Sequence, residues 1–440
     1  MKIAFIRLNM FEHISSDAMK PILFGIIHSL TPPQHQITFY DERVKKLPER
    51  IDADIIAFSV ETFTAKRAYI LAKKYRTKRN IIVMGGFHAS VMPDEILHYA
   101  DSVLIGDAEG TWGAFLRDCE SGRPKQKYIS DETAPFAPVR SQSDSSIYRH
   151  HYYGVGVCQI SRGCKFNCDF CSIKTMYHGV RRKPLKQVEQ ELRAMKERII
   201  FFADDNLFYD KRSAMALFRM LTPLKKHWAC QISMDAARDD ALLAAMKKAG
   251  CFLVLMGFES LNRESLAEMH KAANAAADYE AVIRNVYRHG LLIYGTFVLG
   301  CDADRPDVFQ RTLDFAVRNH IAVTNFNPLI PMPGTGVYRR MEQEGRLLRR
   351  KWWLSDTYRY GETAFRPKHM TPEQLAAGCL RIRTEFYSLP CIFRRLRGSL
   401  RYMQPMSLLI FLLANLISGR EIRRKQGQLL GGYLHEADTD

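Results

Sequence analysis

The chain has 440 residues, 47% of them hydrophobic and 25% charged, with a formal net charge of +17. That composition excludes a disordered chain, which would combine low hydrophobicity with blocks of like charge, and the length leaves room for two domains and an appendage. The basic excess favours an anionic partner (a membrane surface, a nucleic acid or a phosphorylated substrate) without choosing among them. Met1–Leu8 is too short an apolar stretch for a signal peptide and a polar segment follows, so a cytoplasmic protein is expected. In a reducing compartment, clustered cysteines bind metal or do chemistry more often than they pair. The scattered seven, Cys119, Cys158, Cys230, Cys251, Cys301, Cys379 and Cys391, read as small buried hydrophobes.

The first third alternates short apolar runs with helical patterns. Strands are expected at Lys2–Leu8, Gln36–Tyr40, Asp54–Ser59, Ile81–Met84 and Ser102–Ile105, with helices near Ala18–Leu30 and Ala65–Tyr75 and a loop through Ser15 and Ser16. Continuous apolar runs bounded by glycine indicate buried parallel strands, and the alternation indicates a doubly wound open sheet over residues 1–120. Ligands of such sheets sit at the carboxyl ends of the strands. Those ends carry Ser59-Val60-Glu61-Thr62, Gly85-Gly86-Phe87-His88 and Gly106-Asp107-Ala108-Glu109-Gly110. Residues 121–150 lack periodicity, contain Pro124, Pro135 and Pro138, and read as a linker.

A second alternating series occupies 151–338, with strands near 155–161, 198–203, 228–233, 252–257, 292–299 and 322–328. Asp239 can cap a helix ending at Gly250, and Pro306 suits a helical first turn. Six strand–helix units predict an open, partial (β/α)6 barrel with its site at the carboxyl ends of the strands. A helical basic extension follows over 339–440. In it, Thr371-Pro372-Glu373-Gln374 is a capping-box start. Met406–Ile417 is almost wholly apolar, flanked by Arg394, Arg395, Arg397 and Arg401 on one side and Arg420, Arg423, Arg424 and Lys425 on the other. Spanning a bilayer takes about 20 apolar residues, more than this stretch offers.

The segment Arg162-Gly163-Cys164-Lys165-Phe166-Asn167-Cys168-Asp169-Phe170-Cys171 follows the first strand of the second series and spaces its cysteines C-x3-C-x2-C. Three thiolates on one loop can bind three irons of a four-iron cluster and leave the fourth open for substrate. The spacing alone also permits a Cys3His zinc site with His178. Structural zinc usually staples small domains without a core, which argues for the cluster here.

This loop resembles that of the radical S-adenosylmethionine (SAM) superfamily, C-x3-C-x-aromatic-C, with Phe170 at the aromatic position that packs near adenine. The resemblance implies a [4Fe-4S] cluster on Cys164, Cys168 and Cys171 whose open iron chelates the amino and carboxylate groups of SAM. It also implies a reductant such as flavodoxin or ferredoxin. Further blocks match the family in order: Phe202-Ala203-Asp204-Asp205-Asn206, Gly257-Phe258-Glu259-Ser260 with its ribose-contacting acid, the adenine-binding stretch Gly295–Gly300 around Phe297, and Pro331-Met332-Pro333-Gly334-Thr335. Asp and Glu at strand ends could alternatively cap helices.

An open sheet ahead of such a barrel resembles the cobalamin-binding domain of the B12-binding radical enzymes. The resemblance assigns Ser59, Thr62, Gly85, Gly86, His88, Gly106 and Glu109 as cobalamin contacts, with Ser59 and Thr62 on the nucleotide tail and the glycines allowing close backbone approach. The D-x-H-x-x-G motif that puts a histidine on cobalt is absent, which leaves His88 a loop contact rather than a cobalt ligand. The alternative is a sheet that binds nothing and only supports the barrel.

Methylation of an unactivated carbon, on a small or lipid-like substrate, is the leading activity. Anaerobic oxidative ring formation, as in porphyrin cyclases of the same domain order, is the runner-up. The rival from another class is a non-catalytic iron–sulfur or zinc regulatory protein. The basic tail is either a buried apolar helix with solvated flanks or a peripheral anchor at the inner membrane surface. Nucleic acid ranks last, since no RNA-binding module or aromatic-interleaved basic stripe is evident.

Overall fold

The computed structural model describes the chain apart from residues 16–17, 132, 140–143, 145–146, 149–151, 272–273, 275–276 and 432–440. Ser16 of the expected first loop and part of the expected linker therefore lie outside the described residues.

The first sheet contains β1 (Lys2–Arg7), β2 (Gln36–Asp41), β3 (Ile55–Ser59), β4 (Ile81–Gly85), β5 (Ser102–Ile105) and β6 (Lys127–Ile129), all parallel, in the order β2-β1-β3-β4-β5-β6. The order reverses between β1 and β3, the place where open α/β sheets hold ligands. β6 lies inside the stretch read as linker. It escapes a periodicity search because only Tyr128 of its three residues points inward, against Phe115 with ring centroids 5.5 Å apart. The first helix starts at Ile22, not Ala18. The residue before a proline is pushed out of the helical region, so Pro21 prevents an earlier start.

The second sheet contains β7 (Val155–Cys158), β10 (Ile199–Phe202), β11 (His227–Ile232), β12 (Cys251–Glu259), β13 (Leu292–Leu299) and β14 (Val323–Pro328), parallel and sequential. Between β7 and β10 a short antiparallel ribbon pairs β8 (Ser161–Arg162) with β9 (Arg181–Arg182). β7 and β14 each pair on one edge alone, so the barrel is open, as expected. Several of its helices are capped by short polar side chains that accept orphan first-turn N–H groups: Asp210 from Ser213, Asp239 from Leu242, Asp278 from Ala281 and Thr335 from Tyr338. The helix after Asp239 ends at Lys248, and Gly250 takes the left-handed φ of +99° that closes such helices. Pro306 stands outside its helix, which begins at Val308.

The extension binds both domains together. Thr371 and Gln374 form the expected capping box of helix Pro372–Phe386, which lies along β14, where Arg383 Nε donates to the Phe326 carbonyl at 2.6 Å. Trp352 and Trp353 enter the core of the first domain. There Glu95, on the first sheet's side, collects donors from both parts of the chain: Tyr69 Oη at 2.9 Å, Trp353 Nε1 at 3.0 Å and Lys351 Nζ at 2.9 Å, with His88 Nε2 at 3.1 Å. Burial pushes the Glu95 carboxyl up, but these partners more than offset it and hold it at about 2, against an ordinary 4.5.

A carboxylate with a depressed folded-state value contributes stability that is complete above its unfolded value and fades as pH falls through the folded one. Between pH 4.5 and about 2 the wild type should therefore lose melting temperature more steeply than Glu95→Gln, which should already be less stable at neutral pH. Thermal melts across that range check this, and identical acid limbs would contradict it.

Candidate active site

The cysteine loop is held from below before it holds anything. Asp204, at the end of β10, is buried and accepts from the Ile160 N–H at 3.1 Å, from the Ser161 hydroxyl at 2.6 Å and from the Ser161 N–H. Asp205 accepts from the Gly163 N–H at 2.9 Å. Gly163 has φ +89°, and a Cβ there would collide with the Gly179 carbonyl. Glycine is required where the chain turns from β8 into Cys164. From the far side, Arg340 pairs with Asp169 and, at 3.1 Å, with Glu268.

Cys164, Cys168 and Cys171, all half-buried, line one cavity of about 460 Å³. Phe166, Phe170, Asp205, Gly257 and Glu259 share its wall. Among the described residues no three His, Cys, Asp or Glu side chains gather tightly enough to hold a single metal ion. His178, the fourth ligand of the zinc alternative, is exposed and outside this lining. Burial raises the Cys168 thiol to about 11, with the Lys271 ammonium opposing it, and burial raises that of Cys171 as well. Desolvated thiols near a fixed cation fit a cluster that supplies the compensating positive charge itself.

Glu259 ends β12 with φ +63°, a strained conformation for a residue with a side chain, and its carboxylate meets Lys271 Nζ at 2.9 Å inside the cavity. Asn274 ties the same stretch down, donating to the carbonyls of Gly257 at 2.7 Å and Phe258 at 3.1 Å. Lys271 was not singled out in the sequence. It belongs to no strand end or spaced motif and arrives only because the chain folds back after helix Arg263–Glu268. Gln231 and Ser233 also line the cavity from the end of β11; no family block marked them, but the expectation of a site at the carboxyl ends of the barrel strands covers them.

Two of the expected SAM contacts lie elsewhere. Asp204 is beneath the loop, not in the cavity, and burial raises it to about 6 despite its donors. Phe297 is fully buried between Phe258 and Phe326, with ring centroids 5.3 and 5.4 Å away, and is a core residue. Phe170, Asp205 and Glu259 do face the cavity.

A second cavity of about 250 Å³ lies at the carboxyl ends of the first sheet. Ser59, Gly85, Gly86, Gly106 and Glu109 line it, over an apolar floor that includes Phe5, Ile26 and Trp112. Gly86 has φ +104°, and a Cβ there would press on the Val60 carbonyl at 2.9 Å. The slot suits a flat, largely apolar group approached by bare backbone. Thr62 and His88 are not part of it. Both are fully buried on the other side of the strand ends, where His88 Nδ1 lies 3.3 Å from Thr62 Oγ1 and its Nε2 faces Glu95.

The cysteine loop stands between the two cavities. Arg162, Met176 and Tyr177, which bracket the cysteine loop, line the slot of the first sheet. Arg162 grips Glu109 through two bonds of 2.9 Å and reaches Asp107 at 3.1 Å, while Tyr177 Oη donates to Asp107 at 3.0 Å. Burial raises the Glu109 carboxyl, and the paired guanidinium more than offsets it and holds it below the usual carboxylate range.

An open-barrel sheet, a three-cysteine loop over its strand ends and a cavity with room for a nucleoside define a class of enzyme. Residues 158–315 match the Radical SAM superfamily, so the chain carries the domain of a radical SAM enzyme. Residues 335–409 match a domain of unknown function, DUF4070. The chain is 29% identical over 391 residues to bacteriochlorophyllide d C-12(1)-methyltransferase of Chlorobaculum tepidum, covering 86% of this chain and 85% of that one. It is 22% identical to the anaerobic magnesium-protoporphyrin IX monomethyl ester cyclase of Cereibacter sphaeroides, covering 80% of this chain and 63% of that one. Its fold is similar to that of OxsB, a cobalamin-dependent SAM radical enzyme solved with aqua-cobalamin bound, with a TM-score of 0.66, 14% identity, and coverage of 96% of this chain and 72% of that one.

Alanine at Cys164, Cys168 or Cys171 should abolish iron retention after anaerobic reconstitution and all 5′-deoxyadenosine formation. Alanine at Cys158 or Cys379, both buried in the barrel core, should lower stability by about 1 kcal/mol and leave iron content intact. Iron analysis decides; a zinc-loaded, iron-free wild type would contradict the site.

Proposed function

We propose that the enzyme methylates an unactivated carbon of a small, largely apolar substrate, using cobalamin held by its tail in the slot of the first sheet. The observation that carries this reading is the place of the cysteine loop: its cysteines line the barrel cavity, and the residues that bracket it, Arg162, Met176 and Tyr177, line the slot at the end of the first sheet. Similarity to a named methyltransferase along 86% of the chain supports it independently.

When bound, the cluster with SAM supplies a 5′-deoxyadenosyl radical that takes hydrogen from carbon, and cobalamin supplies a methyl group that can leave as a radical equivalent. This chain's residues do the rest. Cys164, Cys168 and Cys171 hold three irons. Lys271 and Glu259 offer a paired cation and anion to the charged ends of SAM, and Phe170 offers a flat apolar wall. Ser59 and the bare backbone of Gly85, Gly86 and Gly106 seat the corrinoid tail. The Arg162–Glu109 clamp fixes the distance between the two sites. Orientation of this kind accounts for a large share of catalytic rate.

The reading extends to a small electron donor such as flavodoxin or ferredoxin, and to work in the cytoplasm at the inner membrane surface, where apolar substrates concentrate. A second reading, ring-forming oxidation, draws on the similarity to the anaerobic cyclase.

With substrate and methyl-labelled SAM, label should enter the product, and two SAM should be consumed per turnover. One should become S-adenosylhomocysteine, and the other 5′-deoxyadenosine and methionine. An unlabelled product that has lost hydrogens would replace methyl transfer with cyclisation.

A further inference from the structure

Helix Pro405–Lys425 is packed the opposite way round from an ordinary surface helix. Its inward line is Ser407, Phe411 and Asn415, all nearly inaccessible. Four of its five leucines face out: Leu409 is 51% exposed, Leu412 38%, Leu413 42% and Leu416 60%. Their spacing of three, four and seven puts them on one face. The inward polar residues fix this orientation. Asn415 donates to the Ala322 carbonyl at 3.1 Å and accepts from Arg395 at 2.8 Å. Arg395 is itself fully buried and donates to the carbonyls of Ile321, Ala322 and Phe386. Turning the leucines inward would leave the buried Arg395 guanidinium and these carbonyls without their partners.

The apolar face continues onto helix Leu389–Ser399, where Leu389 is 74% and Phe393 68% exposed. Leu389 and Leu416 line one groove between the two helices, together with Arg420, Arg423 and Arg424. Between Ser388 and Lys425 the chain carries seven arginines and one lysine against a single acid, Glu421.

We propose that this face docks the enzyme on an anionic lipid bilayer. No helix among the described residues is long and apolar enough to cross a membrane, so the helix lies in the plane of the interface. There its leucines enter the acyl boundary and its flanking arginines meet lipid phosphates. A second copy of the chain is a poor occupant, because a two-fold pairing would bring the arginine clusters against each other. The assignment is independent of the reaction catalysed, so its failure would leave methyl transfer untouched.

The test uses the full chain in flotation with vesicles of phosphatidylcholine and phosphatidylglycerol in equal parts, and with phosphatidylcholine alone. The wild type should float with the anionic vesicles and bind the neutral ones roughly tenfold more weakly, and high salt should weaken the anionic binding. Leu412→Glu with Leu416→Glu should reduce anionic-vesicle binding roughly tenfold or more. Lys78→Glu, an exposed site on the first domain with the same change in net charge, should not. Should the leucine variant fail to fold, Arg420→Glu with Arg423→Glu, both exposed, must show the same loss. Absence of vesicle binding, or equal binding by wild type and variants, would overturn the proposal. So would a wild-type dimer that the leucine variant dissociates, which would give the face to a second copy.

Discussion

The structure depends on one buried guanidinium. Arg162 sits between the two sheets, at the residue before the cysteine loop begins, and its side chain is 7% exposed. Glu109 and Asp107 surround it, and the Phe136 ring lies 4.8 Å from its centre. A buried charge without partners costs several kcal/mol, so this one holds its partners in place as firmly as they hold it. Glu109 and Asp107 follow β5 of the first sheet, whereas Gly163 and Cys164 follow Arg162 in the barrel. One ion cluster therefore sets the position of the cysteine loop relative to the slot of the first sheet.

The remaining constraints act on the same loop. Asp204 and Asp205 pin its start from the end of β10, and Arg340 pins its middle through Asp169. The loop is thus tied on its start and middle by side chains that leave the cavity side open. A metal cluster that must keep one iron open needs ligands that cannot rearrange to close it, and a loop tied at three points provides that. The extension contributes from farther off, by threading Trp352 and Trp353 into the first domain and laying helix Pro372–Phe386 along β14.

Much of this was legible in the sequence. Buried parallel strands are continuous apolar runs, and eleven strands followed from those runs alone. The cysteines announced themselves by spacing. What stayed hidden had physical reasons. Strand β6 has three residues and one inward side chain, too few for a period. Asp204 and Asp205 are neighbours of the same type at one strand end, and only three dimensions distinguish the one beneath the loop from the one in the cavity. Phe297 and His88 sit in motifs that resemble binding stretches, yet packing takes one and a buried hydrogen-bond cluster takes the other. Lys271 lies on a returning loop that no pattern marks. The tail offered an apolar stretch between basic flanks. That its polar residues turn inward and its leucines outward depends on Arg395 and Asn415 finding each other.

The central claim is that one loop serves two cofactors held close together. Electron paramagnetic resonance on the anaerobically reconstituted protein, with the cluster reduced and cobalamin in its Co(II) form, tests it most directly. Two paramagnetic centres on either side of Arg162–Tyr177 must couple, so the cobalt spectrum should be broadened and fast-relaxing whenever the cluster is reduced. An unperturbed cobalt spectrum, or a protein that retains no cobalamin, would contradict the account.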